Sequence, residues 1–275
     1  MKRSVGHEQY FTDPALAERC VGFAASLLAF EEFEMFVEPS AGEGAFLRLL
    51  PEERRVGIDL EPRDADIARA DFLQWEPPTL TGPILTIGNP PFGQRAALAM
   101  DFMARACTFS AAVAFILPRS FNKYTFQDRV DPRFHLLGSF DCDGFSDPSG
   151  AKQSVRTCFQ VWSRGEHERP RAAHATSHLH FDMRHCHLSR VSAGELVALR
   201  ETYAFTIPQV GSDFSPRDPE LVTRGSHWFI RPKVPGVRKR FERLDFGFLD
   251  DMNTAHKSLS KADIIAAYEN VVADE

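Results

Sequence analysis

Apolar side chains recur at helical spacing near the beginning of the chain. The positions on this face are Leu16, Cys20, Phe23, Ala24 and Leu27. The preceding Thr12-Asp13-Pro14 supplies a capping side chain and a proline suited to a first helical turn. This pattern predicts a helix over 14–30.

Short apolar runs with the length of buried strands follow this helix. They span 34–38, 55–59, 83–88, 112–117, 134–140 and 156–162, with helical patterns over 45–50 and 96–107 between them. Because strands alternate with helices, the order predicts an α/β fold built on a mostly parallel sheet covered by helices.

The pattern changes after about Trp162. Arginine, histidine and proline become frequent over 164–187, and the alternation of strands and helices is lost. We therefore expect a first domain over 1–163 and a smaller C-terminal extension over 164–275 that contacts the substrate.

Composition narrows the class of protein. The chain has 275 residues, 43% of them hydrophobic, and a net charge of -6, which is enough apolar content for a sizeable core. No apolar stretch reaches the roughly 18 residues that span a bilayer, and the first residues do not read as a signal peptide. We expect a cytoplasmic protein without a membrane partner. The five cysteines are scattered without a C-x-x-C pair, which indicates neither disulfides nor a thiolate zinc site.

A glycine-rich turn follows the first predicted strand. It reads Glu38-Pro39-Ser40-Ala41-Gly42-Glu43-Gly44, and the next strand ends in Asp59. An acidic residue about 20 positions after such a turn is the spacing at which a ribose-binding carboxylate occurs in nucleotide-binding α/β folds. The pair favours a nucleotide-type cofactor.

A second motif, Asn89-Pro90-Pro91-Phe92, follows the strand predicted over 83–88. An amino nitrogen conjugated to a ring or carbonyl is a poor nucleophile. If the side-chain oxygen of Asn89 and the carbonyl of Pro90 accept its two N–H bonds, electron density is drawn onto the nitrogen. Phe92 would stack on the planar substrate, so that positioning and electrostatics carry the catalysis. This chemistry suits methyl transfer to a planar amino group.

Taken in order, these motifs resemble those of class I S-adenosylmethionine-dependent methyltransferases, and most of all the N6-adenine amino-methyltransferases of DNA. The resemblance covers about 10–162. It implies a Rossmann-like fold with a mostly parallel seven-stranded sheet and helices on both faces, and S-adenosylmethionine as the cofactor. It implies cofactor contacts at Phe11, Thr12, Glu38, Ser40, Ala41, Gly42, Gly44, Asp59, Leu60, Asp71, Phe72 and Asn89, and a catalytic segment formed by Asn89, Pro90, Pro91 and Phe92.

Within that resemblance, individual roles are assigned by position. Asp59 would bind the ribose, and Leu60 would cover the adenine of the cofactor. Asp71, in a segment similar to the family's Ala-Asp-Phe, would bond the adenine amino group, with Phe72 packed near it. Phe11 and Thr12 would contact the methionine part.

The acceptor is less constrained by the motifs than the cofactor. Residues 224–243 contain seven lysines and arginines and a single glutamate, with aromatic residues between them, a pattern suited to phosphate contact and base stacking. The candidate nucleic-acid contacts are Lys123, Arg231, Lys233, Arg238, Lys239 and Arg240. A solvated face or a self-association surface is the alternative interpretation of this stretch.

DNA is the expected partner and RNA the first alternative. A protein-glutamine methyltransferase and a catalytically silent nucleic-acid-binding module follow. The histidines between His178 and His187 match no closed set of metal ligands and fit a strand with exposed imidazoles, so no metal is expected.

Overall fold

The computed structural model describes residues 11–79, 82–143, 145–146, 152–153, 155–170, 174–252 and 257–274. The chain divides into two compact units, Met1–Arg171 and Ala172–Glu275. The division lies beyond position 163 because the last strand of the first sheet runs to Arg164 and Arg169 is bonded to the carbonyls of Val130 and Asp131.

The first unit alternates strands with helices. Its elements are β1 (Phe11–Thr12), α1 (Pro14–Leu27), β2 (Met35–Pro39), β3 (Arg55–Asp59), β4 (Ile67–Arg69), β5 (Ile84–Gly88), α2 (Ala97–Phe109), β6 (Ala112–Pro118), α3 (Tyr124–Gln127), β7 (Phe134–Cys142), β8 (Phe145–Ser146), β9 (Lys152–Gln153) and β10 (Thr157–Arg164). Short 3-10 helices lie at Phe30–Glu32, Leu47–Leu49, Glu52–Arg54, Gln94–Ala96 and Arg119–Asn122.

Seven of these strands form one sheet in the order β4-β3-β2-β5-β6-β10-β7. The five strands β4, β3, β2, β5 and β6 are parallel to one another, and β10 is antiparallel to both of its neighbours, β6 and β7. β3 and β4 are added on one side of β2, and the chain then returns to place β5 and β6 on its other side. The boundary between β2 and β5 is therefore the switch point of a doubly wound sheet. The predicted Rossmann-like class I fold, with a mostly parallel seven-stranded sheet, is confirmed.

The core of this unit is centred on β5 and β6, which are buried along their whole length. Leu16, Ala17, Cys20 and Ala24 of α1 belong to the same apolar cluster. The predicted helix is confirmed, although it ends at Leu27 rather than at 30.

The helix predicted over 45–50 is wrong. This segment contains only the 3-10 helix Leu47–Leu49. Gly44 enters it in a left-handed conformation with φ of 76°. Pro51 follows, and Leu50 before it is extended with ψ of 154°, because proline disfavours helical geometry in the preceding residue. Too few residues remain between Gly44 and Pro51 for a longer helix.

The second unit has its own small sheets and core. Its elements are β11 (Phe181–His187), α4 (Ala193–Thr202), β12 (Phe205–Pro208), β13 (Val210–Gly211), β14 (Ser226–Pro232), α5 (Val237–Phe241), β15 (Lys257–Ser258) and α6 (Lys261–Ala273), with 3-10 helices at Leu188–Arg190, Pro219–Leu221 and Gly247–Met252. The antiparallel order is β11-β14-β12, and β13 pairs with β15. Phe181, Trp228 and Tyr268 lie in its main apolar cluster.

Within the described part of the chain, no helix combines the length and hydropathy that crossing a membrane requires. All five cysteines are buried and unoxidised.

Candidate active site

The sequence motifs of the first unit converge at one edge of the large sheet. β2, β3, β4 and β5 are parallel, so their carboxyl ends lie at the same edge. The glycine turn follows β2, Asp59 ends β3, Asp71 follows β4 and Asn89 follows β5. Since β2 and β5 are neighbours at the switch point, the two motifs emerge side by side where doubly wound folds bind ligands.

The glycine turn is a tight loop of left-handed residues. Ser40 and Gly42 both have φ of 56°, and Gly44 has φ of 76°. Glycine adopts this geometry without steric cost, whereas Ser40 is held there by its surroundings. The buried Ala41 donates its backbone N–H to the carbonyl of Ile58 at 2.9 Å. The loop is therefore anchored to β3 and lacks side chains at the glycine positions, where a ligand can approach the backbone.

Glu38 lies beneath this loop. Its carboxylate is 2% exposed and accepts the backbone N–H of Leu47 at 2.7 Å and that of Phe46 at 3.3 Å. Burial raises the pKa of this carboxyl group from its ordinary 4.5 to about 8, and these two donors oppose the rise. A Cβ at Gly88 would lie 3.2 Å from Cγ of Glu38, so β5 carries glycine where it passes this side chain. The observed partners of Glu38 are loop amides, and its role as a direct cofactor ligand stays a prediction.

Asp59 connects the loop to the end of β3. One carboxylate oxygen accepts the N–H of Gly42 at 2.8 Å, and the other accepts that of Glu61 at 2.8 Å. Each carboxylate oxygen has a further lone pair, so the group can still accept ribose hydroxyls. Leu60 beside it is 58% exposed, a position from which an apolar side chain can cover a planar ring.

Asp71 and Phe72 differ in exposure. Asp71 is exposed, and its Oδ1 accepts the N–H of Leu73 at 3.0 Å. Phe72 is 2% exposed and stacks on Phe102 of α2, with ring centroids 5.1 Å apart. The phenylalanine therefore contributes to the core behind this edge, and Asp71 is the member of the pair that faces solvent.

The Asn-Pro-Pro-Phe segment begins at the end of β5. Nδ2 of Asn89 donates to Oγ1 of Thr12 at 3.1 Å, so the N-terminal motif and the catalytic motif meet. Pro90 is buried and Pro91 half-buried, while Phe92 is 8% exposed within the core cluster. Phe11 lies in β1, and its side chain is outside the described part of the chain.

Sequence reasoning missed Gln160. It lies fully buried in β10, and its Nε2 donates to Oδ1 of Asn122 at 2.9 Å and to the carbonyl of Phe121 at 3.2 Å. Trp162 donates its indole N–H to Oε1 of Gln160 at 3.1 Å. These bonds fix the segment after β6 that leads to Lys123, at the same edge as Asn89. A glutamine inside an apolar strand was the available signal.

The predicted nucleic-acid contacts of the second unit are largely engaged with its own residues. Arg231 and Lys233 pair with Asp182 at 2.5 Å and 2.6 Å, and Arg238 pairs with Asp218 at 2.8 Å. Arg240 donates to the hydroxyl of the buried Tyr268 at 3.3 Å. Lys239 is exposed. The excess charge counted along 224–243 is therefore reduced by acids that lie outside that segment.

The expectation of exposed imidazoles is wrong for His178. It precedes β11, its side chain is 7% exposed, and it donates to Glu269 of α6 at 2.8 Å. His180 bonds to the hydroxyl of Tyr268 at 3.2 Å. Contact with α6, which hydrophobic alternation along β11 cannot reveal, accounts for the difference. In the described ranges, no cluster of three or more histidines, cysteines or acids has metal-binding geometry.

No protein-family model matches this chain, and no curated protein is significantly similar to it. Among solved structures, it is similar to a candidate RNA methyltransferase from Pyrococcus horikoshii, with 17% identity, a TM-score of 0.45, and coverage of 57% of this chain and 87% of the other. The N-methyltransferase NodS from Bradyrhizobium japonicum WM9 is 15% identical, with a TM-score of 0.40, and the match covers 56% of this chain and 98% of NodS. The 23S rRNA methyltransferase ErmE is 17% identical, with a TM-score of 0.39, and the match covers 93% of this chain and 97% of ErmE.

The fold is defined by the strand order and strand directions of the chain itself.

Proposed function

We propose that this protein is an S-adenosylmethionine-dependent methyltransferase that methylates the exocyclic N6 of adenine in nucleic acid, with DNA as the expected substrate. The observation that carries the proposal is that three sequence motifs lie together at one edge of the large sheet. The glycine loop is bonded to Asp59, and Asn89 emerges from the neighbouring strand bonded to Thr12.

The residues at this edge fit the proposed cofactor. The left-handed loop at Gly42 and Gly44 allows close backbone approach, Asp59 retains acceptor capacity for ribose hydroxyls, and the exposed Leu60 offers an apolar surface for adenine. S-adenosylmethionine would supply an electrophilic methyl group on a sulfonium.

The chain's own contribution is orientation of the acceptor. The side-chain oxygen of Asn89 and the carbonyl of Pro90 would accept the two N–H bonds of the adenine amino group and draw electron density onto its nitrogen. Pro90 has no N–H to compete for that space. As the N–C bond formed, the S–C bond of the sulfonium would break and leave a neutral thioether. The nitrogen would then carry a positive charge and release one proton to solvent, so a strong general base is not required. A target base in duplex DNA would first have to leave the stack.

The proposal is tested by incubating the purified protein with tritiated S-adenosylmethionine and separate pools of DNA, RNA and protein. Nucleoside analysis follows for each labelled pool. N6-methyladenine in DNA is the expected product. Label in RNA or in glutamine would reassign the acceptor, and cofactor binding without label in any pool would favour the silent nucleic-acid-binding module.

The six basic residues predicted to contact nucleic acid stay part of this proposal. Lys123 is the member that follows β6 of the first sheet, at the edge where Asn89 lies. Lys239 has its side chain exposed. The other four share their charge or hydrogen bonds with Asp182, Asp218 and Tyr268.

A further inference from the structure

The second unit contains a pocket that is lined in part by the first residues of the basic segment 224–243. It has a volume of about 450 Å³, opens to solvent, and is lined by Pro208, Val210, Arg217, Arg224, Gly225, Ser226 and His227. Two arginines, a serine and a histidine thus line one surface pocket together with a few apolar residues.

The backbone that carries these side chains is firmly held. Pro208 pairs with His227 on adjacent strands, and the N–H of Gln209 donates to the carbonyl of Ser226 at 2.9 Å. Arg217 and Thr206 exchange two backbone hydrogen bonds of 2.8 Å. The ring of His227, 5% exposed, bonds through Nε2 to the carbonyl of Arg224 at 3.0 Å. The two arginines therefore project from positions that are fixed before any ligand arrives.

The charge balance of the pocket is positive. Asp213 accepts from Arg217 at 2.9 Å, and the nearby Asp218 pairs with Arg238. Across the described ranges, Arg224 forms no ion pair. Burial lowers the pKa of His227, so at neutral pH the positive charge comes from the arginines. Arg217 is paired with an acid, as are Arg231, Lys233 and Arg238, so Arg224 carries the excess positive charge of the pocket.

We infer that this pocket binds a phosphodiester of a nucleic-acid strand, with Arg224 and Arg217 on the phosphate oxygens. The inference rests on the proposed function for the choice of ligand. Guanidinium groups bind phosphate with paired N–H donors, and Pro208 and Val210 supply apolar surface for the adjoining sugar or base. Because the pocket opens to solvent, a nucleic-acid strand can lie across it with a single phosphate group bound inside.

The salt dependence of strand binding tests this inference. Binding of labelled single-stranded DNA and RNA 20-mers of the same sequence is measured by fluorescence anisotropy at several salt concentrations. Each lost phosphate contact should flatten the log–log slope by about 0.7 for a single strand. Arg224→Ala should show this change in full. Arg217→Ala should show a smaller one, because Asp213 already balances part of the charge of Arg217, and Arg224→Lys should retain most of the slope.

The matched control is Arg190→Ala, which removes the same charge from an exposed position of the same unit outside the pocket. Its slope should equal that of the wild type. Equal slopes for all three alanine variants would overturn the inference, as would a wild type that binds neither strand. A flatter slope with only the DNA or only the RNA 20-mer supports the inference and identifies which nucleic acid the pocket binds. Thermal unfolding of each variant confirms that the fold is retained.

Calorimetric binding of S-adenosylmethionine separates this inference from the proposed function. A protein that binds the cofactor and labels nucleic acid, yet has an unchanged slope in Arg224→Ala, lacks the phosphodiester site but keeps the proposed activity. A protein without cofactor affinity whose slope depends on Arg224 keeps the site and loses the proposed activity.

Discussion

The sheet edge of the first unit and the basic segment of the second differ in how position along the sequence relates to position in space. At the sheet edge, Gly42, Asp59 and Asn89 are far apart in sequence, yet parallel pairing carries them to one edge. In the basic segment, neighbours in sequence separate onto β14 and α5, and Asp182 and Asp218 come from elsewhere to meet them.

Topology therefore makes motifs that follow parallel strands more informative about a site than a run of charged residues. Residues that follow successive parallel strands must share an edge, whatever the loops between them. A run of charge has no such constraint, and its net value depends on acids that the run does not contain. Exposed ion pairs of this type contribute little to stability, typically 0 to about 1 kcal/mol, but they reduce the charge available to a phosphate.

The largest expected effect is that of Asn89→Ala. It removes the proposed acceptor for the substrate amino group, so kcat should fall on the order of 100-fold, the scale seen when one transition-state hydrogen bond is lost. The affinity for S-adenosylmethionine, measured by calorimetry, should stay within a few-fold. Thr12→Ser, which retains a hydroxyl partner for Asn89 Nδ2, is the control and should preserve activity. An equal loss of cofactor affinity and kcat in Asn89→Ala would remove its assigned role.

Glu38→Gln should perturb the glycine loop. The comparison is made above pH 8, where Glu38 is ionised. There an amide cannot accept two N–H bonds as the carboxylate accepts those of Phe46 and Leu47, because its NH2 faces one of the donors. Cofactor affinity should fall on the order of 10-fold, given a cost of about 1–3 kcal/mol for a buried unsatisfied donor. Titration calorimetry measures the change, and Glu43→Gln in the exposed part of the loop should leave affinity unchanged.

The same variant has a pH signature. The pKa of Glu38 is about 8 in the folded chain and ordinarily 4.5, so the folded state holds this proton more tightly than the unfolded state. The contribution of Glu38 to the free energy of unfolding should be greatest below pH 4.5, decline as the pH rises toward 8, and level off above it. Subtracting the stability profile of Glu38→Gln from that of the wild type isolates this decline. A flat difference between pH 5 and 8 would contradict the raised pKa.

How far the sequence predicts this molecule depends on what determines each element. β3 is observed at its predicted bounds, Arg55–Asp59, and Asp59 meets the glycine turn as its spacing implies, because these features follow from local pattern and parallel topology. The 3-10 helix at Leu47–Leu49 was missed because a proline and a left-handed glycine outweighed helical spacing.

Contacts between distant segments could not be predicted in the same way. Nothing local indicates that His178 packs against α6 or that Gln160 holds Asn122. The pocket at Arg224 has the same origin, since its lining comes from three strands and two turns.

Asp59→Ala should have an intermediate effect on the sheet edge. It removes the acceptor for the N–H groups of Gly42 and Glu61 and the proposed ribose ligand, so the dissociation constant for S-adenosylmethionine should rise about 10-fold, as for a hydrogen bond to a charged group. Asp66→Ala, an exposed acid on the approach to β4, removes the same charge and should leave the constant unchanged. An unaltered constant in Asp59→Ala would count against the ribose assignment.

The smallest expected effect concerns the basic segment. It tests whether ion pairs reduce the positive charge that this segment offers to a phosphate. Arg231→Ala should flatten the salt slope for strand binding by less than Arg224→Ala, because Asp182 already balances part of the charge of Arg231. Its stability should change by no more than about 0.5 kcal/mol, as is usual for exposed positions. Asp182→Asn is the complementary variant. Freed from that carboxylate, Arg231 and Lys233 should steepen the slope, and anisotropy titrations in the same salt series measure both changes. If Arg231→Ala flattened the slope as much as Arg224→Ala does, ion pairing in this unit would not predict which cations reach a phosphate, and the contrast with the sheet edge would have to rest on topology alone.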